Sequence, residues 1–109
     1  MAERNLMEVA KEIVAQELET FSLELLGVEE VRKQNSDGTI EMQTKLELEV
    51  PKGNGMFSRV RFACKTAQTR QFDRINFDED EVLVSLTGLK VTFVDKGIMY
   101  LRCDAVQMI

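Results

Sequence analysis

Residues 28–50, VEEVRKQNSDGTIEMQTKLELEV, carry the pattern that decides the fold. In residues 39–50, Ile40, Met42, Leu46, Leu48 and Val50 fall on one side of an extended chain, and Glu41, Gln43, Lys45, Glu47 and Glu49 on the other. Successive side chains of a strand point to opposite faces, so this segment reads as a half-buried antiparallel strand with one wet face. Residues 28–34 share the period of two. Between them, Asn35-Ser36-Asp37-Gly38 offers the Asp-Gly step whose positive φ values close a tight hairpin.

Downstream, Pro51-Lys52-Gly53-Asn54-Gly55 breaks the strand and turns the chain. The glycines lead into neither a Walker motif nor a full G-x-G-x-x-G, so a turn suffices and no nucleotide loop is read. Residues 56–65 alternate again. Met56, Ser58, Val60, Phe62 and Cys64 are predicted on one face, and Phe57, Arg59, Arg61, Ala63 and Lys65 on the other. Residues 66–76 have weak periodicity; a short helix there would put Arg70 and Arg74, four apart, on one side, anchored by Phe72, Ile75 and Phe77. The acidic run 78–81 lacks the glycine and closing glutamate of a calcium loop and reads as a solvated turn. Three more strands are predicted at 82–87, 89–94 and 98–103, joined by Gly88 and by Asp95-Lys96-Gly97 and followed by a closing segment, 104–109.

Upstream, residues 3–26 place Leu6, Ala10, Ile13, Val14, Glu17, Phe21 and Leu25 at steps of three and four, a largely apolar helical stripe. Glu8, Lys11, Glu12 and Glu19 fall mostly opposite. The helical pattern is strong to about Glu19; residues 20–25 alternate and fit a first strand equally well, and Gly27 ends whichever element precedes it. The expected architecture is mainly β (α+β): one domain over residues 1–109, a small barrel or sandwich of five to seven short antiparallel strands. The N-terminal amphipathic helix, about residues 3–20, caps a β-rich body of residues 21–109.

Charge is segregated along this chain. Residues 51–77 hold Lys52, Arg59, Arg61, Lys65, Arg70 and Arg74 against the single acid Asp73, so the segment is +5 in a protein of −5. Such a segment reads as a polyanion-binding surface on an acidic body, or as solvated cations that merely neighbour one another in sequence. On the first reading Arg59, Arg61 and Lys65 hold phosphates, Arg70 and Arg74 extend the track, Lys52 belongs to the same binding set, and Phe57 stacks on an unpaired base; on the second, Phe57 is tucked under the preceding loop. The net charge does not forbid this, because exposed charges are screened over about 8 Å in a domain roughly 30 Å across. Binding would be weak without base stacking or a second subunit, so homodimerisation stays open.

The chain has no histidine, which removes Ser-His-Asp and Cys-His arrangements and histidine-ligated metals. Cys64 and Cys103 form no C-x-x-C pair and are expected to be buried small hydrophobes. No metal, cofactor or catalytic residue is expected. The N-terminus has no signal-like apolar core and no apolar run spans a bilayer, so a cytoplasmic protein without membrane contact is expected. Three function classes are carried forward: an RNA-binding regulator, a protein-interaction module acting on a transfer or regulatory protein through a sheet edge or the N-terminal helix, and, least supported for want of a convergent acid, base and nucleophile, an enzyme.

The turn 34–39 (QNSDGT), the segment 72–77 (FDRINF) and the closing 100–106 (YLRCDAV) together resemble the PrgU-like family. These are small proteins of Gram-positive conjugative plasmids and integrative elements, including regulators of pheromone-inducible conjugation and helicase-processivity proteins. The resemblance covers roughly residues 21–109. It implies a PUA-like, mostly β fold and a role in nucleic-acid transactions; on the regulator side it implies restraint of conjugation-gene or surface-adhesin expression at the RNA level. The chain lacks the polar tail of the integrative-element members and has a well-formed N-terminal helix, both of which lean toward the regulators. The family supplies no site residues to carry over.

Overall fold

The computed structural model describes residues 5–96 and 98–109. Helix α1 (Leu6–Glu19) is followed by strands β1 (Leu23–Gln34), β2 (Ile40–Glu49), β3 (Arg61–Ala67), β4 (Leu83–Thr87), β5 (Lys90–Asp95), β6 (Ile98–Arg102) and β7 (Ala105–Met108). The strands form one sheet in the order β5-β6-β3-β2-β1-β4-β7, curled into a half-barrel. The mainly-β expectation with an N-terminal helix therefore holds. One feature departs from all-antiparallel pairing: β6 lies parallel to β3. It leaves that strand at Cys103, whose N–H donates to the Lys65 carbonyl (2.9 Å), and the chain crosses to pair as β7 with β4.

Alternation dictates the core. Leu46, Leu48 and Val50 of the second strand segment, Cys64 of β3, Val84 and Leu86 of β4 and Leu101 of β6 turn inward and are buried, with Leu23 and Leu25 from β1. Each fully buried leucine of this kind contributes about 1.5–3 kcal/mol. Phe72 is buried as well and anchors the connection between β3 and β4. That connection is a series of turns at 71–74 and 77–79 rather than the short helix that the Arg70/Arg74 spacing suggested.

The β1–β2 hairpin is long, and its outer half extends beyond the core. In its turn only Gly38 takes positive φ (+87°); the Gly38 N–H donates to the Asn35 carbonyl (3.0 Å) and the Asn35 N–H to the Thr39 carbonyl (2.8 Å). Asp37 stays on the ordinary side of the map and instead accepts from the Thr39 N–H (3.0 Å) and hydroxyl (2.6 Å). Gly27 does not end an element. It lies inside β1, where the register slips between Leu25 and Gly27, a bulge that adds twist and bends the strand.

Two further expectations are corrected. The alternation read from Met56 onward does not begin there: Gly55–Phe57 is a helical turn and Arg59 is left-handed (φ +67°), so the strand starts at Arg61. Helix α1 buries Ala15 and Leu18; of the predicted stripe Val14 and Phe21 are half-buried against the core and Leu25 is buried, whereas Leu6, Ala10 and Ile13 stay exposed with Val9. The helix contacts only β4 and β5 and is tied down at its C-terminal end, where Glu19 accepts from the Leu89 N–H (2.7 Å). The calls on residues 3–4 and Gly97 lie outside the described residues.

Candidate nucleic-acid interface

The seven residues singled out by charge and alternation sit in different surroundings. Arg59 and Arg61 converge on one carboxylate: Arg59 Nε lies 2.7 Å from Glu49 Oε1 and Arg61 Nε 3.2 Å from Glu49 Oε2. The Glu49 side chain is only 7% exposed, so two arginine heads neutralise an acid at the sheet surface. Phe57 is half-buried, its ring 5.7 Å from Phe21 and tilted by 55°, which makes it a packing residue under the loop rather than a free stacking plane. Lys52 is exposed in the turn after β2, and Arg70 and Arg74 are exposed in the β3–β4 connection. Lys65 alone of the seven lines a concave surface that collects cations.

That surface lies on the face of the sheet turned away from the core, a groove of about 600 Å³ between the β1–β2 arm and the β5–β6 hairpin. Arg32 and Lys33 come from the arm, Lys45 and Lys65 from the floor and Arg102 from β6, and no carboxylate lines it. Register explains the clustering. Lys45 sits opposite Lys65, Lys65 beside Arg102, and Arg102 opposite Lys90, so four cations form one row across β2, β3, β6 and β5. Only Glu29, facing Lys45 from β1, ends the row with an acid. Like charges directly opposite one another are each unfavourable by roughly 0.2–1 kcal/mol. Among the described residues, none of the five groove cations makes an ion pair with a carboxylate.

One step along the same face runs a second row: Gly27, Glu47, Ala63, Tyr100 and Phe93. Phe93 and Tyr100 stack nearly parallel, with centroids 4.3 Å apart and planes 10° from each other. They are 52% and 37% exposed, unusual for rings of this size on a small domain. A bulge at Thr92, whose hydroxyl donates to the Tyr100 carbonyl (2.9 Å), brings Phe93 into line with Tyr100. Aromatic faces beside unpaired cations suit an unpaired base with its phosphates, whereas a duplex keeps its base faces covered.

Sequence reasoning missed Arg32, Lys33, Lys45, Phe93, Tyr100 and Arg102. Lys45 had been placed on the wet face of its strand; what was lacking was the register that sets it opposite Lys65. A second concavity, about 530 Å³ between α1 and β5, mixes Lys11 and Lys90 with Glu8, Glu12 and Glu19 and has no single sign to offer a polyanion. The Cys64 and Cys103 thiols are free and buried. A hydrogen bond with Cys103 and burial together push the Cys64 thiol above its ordinary pKa. Among the described residues no group of three or more Cys, Asp or Glu could hold a metal ion, and no helix is long and apolar enough to cross a membrane. No family model, curated protein or solved structure matches the chain.

Proposed function

We propose that this chain is a non-enzymatic single-stranded nucleic-acid-binding protein, with RNA as its first ligand, and that it binds through the groove, to which the basic stretch 51–77 contributes Lys65 of its six cations. What supports the reading is one observation: five cations without carboxylate partners share a concave surface with a stacked, exposed aromatic pair. A row of facing cations is unfavourable until phosphates neutralise it. Following the resemblance to the PrgU-like family, the ligand is a transcript of conjugation or surface-adhesin genes whose expression the protein restrains in a Gram-positive cytoplasm.

Titration of a labelled ten-nucleotide RNA at two salt concentrations tests this. Three to four phosphate contacts give a salt slope of about −2 to −3, or roughly 30-fold weaker binding between about 50 and 200 mM salt. Lys45→Glu/Lys65→Glu should weaken binding about 100-fold. Affinity indifferent both to salt and to that double reversal would overturn the reading.

A second reading, a protein-interaction module, has its own support in the exposed stripe on α1, where Leu6 is 87% and Ile13 53% exposed. A contact through that stripe predicts a complex that salt barely weakens and that Leu6→Glu/Ile13→Glu disrupts.

A further inference from the structure

We infer that Ala63 forms the floor of a slot for one unpaired nucleobase, stacked on the free face of Tyr100, while the neighbouring row of cations holds the phosphates. The inference rests on the nucleic-acid reading of the groove and deepens it by assigning base and backbone to different rows.

The argument begins with the stacked pair. Phe93 and Tyr100 stand opposite each other on adjacent strands, and their rings are parallel at 4.3 Å, close to the strand spacing itself. Their ring normals therefore run across the sheet. One face of Tyr100 is covered by Phe93; the other looks toward β3, where its register partner is Ala63. Ala63 carries only a methyl group and is half-buried in the groove floor.

The next side chain in that direction is Glu47, opposite Ala63 on β2. It leans over Gly27 on its far side: a Cβ at Gly27 would lie 3.8 Å from Glu47 Oε2. Tyr100 and Glu47 are two strand spacings apart, about 9.6 Å. A flat ring packed at van der Waals distance on both sides needs only about 7 Å. A base fits over Ala63, and any larger side chain there would fill the space.

Charge separates the rows. The row of Ala63 contains the carboxylate of Glu47 and no cation, which disfavours a phosphate. The row of Lys45, Lys65 and Arg102 lies two residues along the strands, about 6.7 Å away, a span that the sugar of a nucleotide bridges.

The chain has one tyrosine and no tryptophan, so its intrinsic emission reports on Tyr100 alone. The test titrates the protein with a ten-residue oligoadenylate and with an abasic ten-mer carrying the same phosphates, following Tyr100 emission and anisotropy of the labelled oligomer. The oligoadenylate should quench Tyr100 and bind about tenfold more tightly than the abasic strand. Ala63→Leu should reduce oligoadenylate affinity to the abasic level without altering abasic binding or the salt slope. Equal affinity of the two oligomers for the wild type, or unchanged oligoadenylate binding by a folded Ala63→Leu protein, would overturn the slot and leave the groove reading standing. If neither oligomer binds, the groove reading falls and the slot with it.

Discussion

Arg61 and Lys65 stand four residues apart on the same face of β3, yet they occupy opposite electrostatic environments. Arg61 faces Glu49 across the strand pair and shares it with Arg59. Lys65 faces Lys45 on one side and Arg102 on the other, with no carboxylate in reach. A cation's value to a ligand is decided by what lies one strand away, not by its neighbours in sequence. The paired end of the strand is satisfied and structural; the unpaired end has charge to offer.

The largest effect should come from inverting the unpaired end. Lys45→Glu/Lys65→Glu is expected to weaken RNA binding by about 100-fold, since two reversed phosphate contacts at about 1.4 kcal/mol each give two factors of ten. Melting temperature should hold, because the attraction gained between position 65 and Arg102 is offset by the repulsion created between position 45 and Glu29. If RNA binding survives this change, the contrast between the two ends has no functional meaning.

The paired end should answer in stability instead. Arg59→Gln/Arg61→Gln strands the buried Glu49 carboxylate, and about 1–2 kcal/mol of unfolding free energy should be lost, read from denaturant midpoints. RNA affinity should change by less than about twofold, because both arginines lie outside the groove and are screened over about 8 Å. Loss of binding without loss of stability would reverse the assignment of the two ends.

Glu49→Gln sharpens the contrast from the other side, by releasing both arginines without moving them from the surface, where they are 68% and 70% exposed. RNA affinity at low salt should rise by no more than about threefold, and the gain should disappear near physiological ionic strength. A tenfold gain that persists in salt would mean that Arg59 and Arg61 reach the ligand after all.

How much of this was readable beforehand follows from which registers a sequence can reveal. The Asp-Gly hairpin fixes Gln34 against Ile40, and counting back from there sets Lys45 against Glu29. The next register is hidden, because the loop after β2 contains a helical turn and a left-handed Arg59 that shift where β3 begins. Read as one continuous strand, residues 56–65 put Phe57 on the face of Arg61 and Lys65, whereas the turn tucks it against Phe21. The parallel pairing of β3 with β6, which brings Tyr100 and Arg102 to the groove, joins segments far apart in sequence and leaves no local pattern. The helix was visible by its period, but its buried face was not. Ala15 and Leu18 are buried while Leu6, Ala10 and Ile13 are not, so the apolar stripe is only in part the face that packs.

The smallest effect belongs to the turn that closes the arm carrying Arg32 and Lys33 to the groove wall. The side-chain and backbone hydrogen bonds from Thr39 favour the ionised form of Asp37 and hold its pKa below the ordinary 3.8. A carboxyl lowered on folding adds stability above its unfolded pKa and loses it as pH falls through the lower folded value. The loss is therefore confined to acid below about pH 4. Amide exchange or chemical shifts of Thr39 and Ile40 should show the turn loosening in that window, and Asp37→Asn should remove most of the pH dependence while leaving the Arg61 end untouched. If Asp37 instead titrates at its ordinary value, the arm is held by the Gly38 turn and strand pairing alone, and the placement of Arg32 and Lys33 owes nothing to this carboxylate.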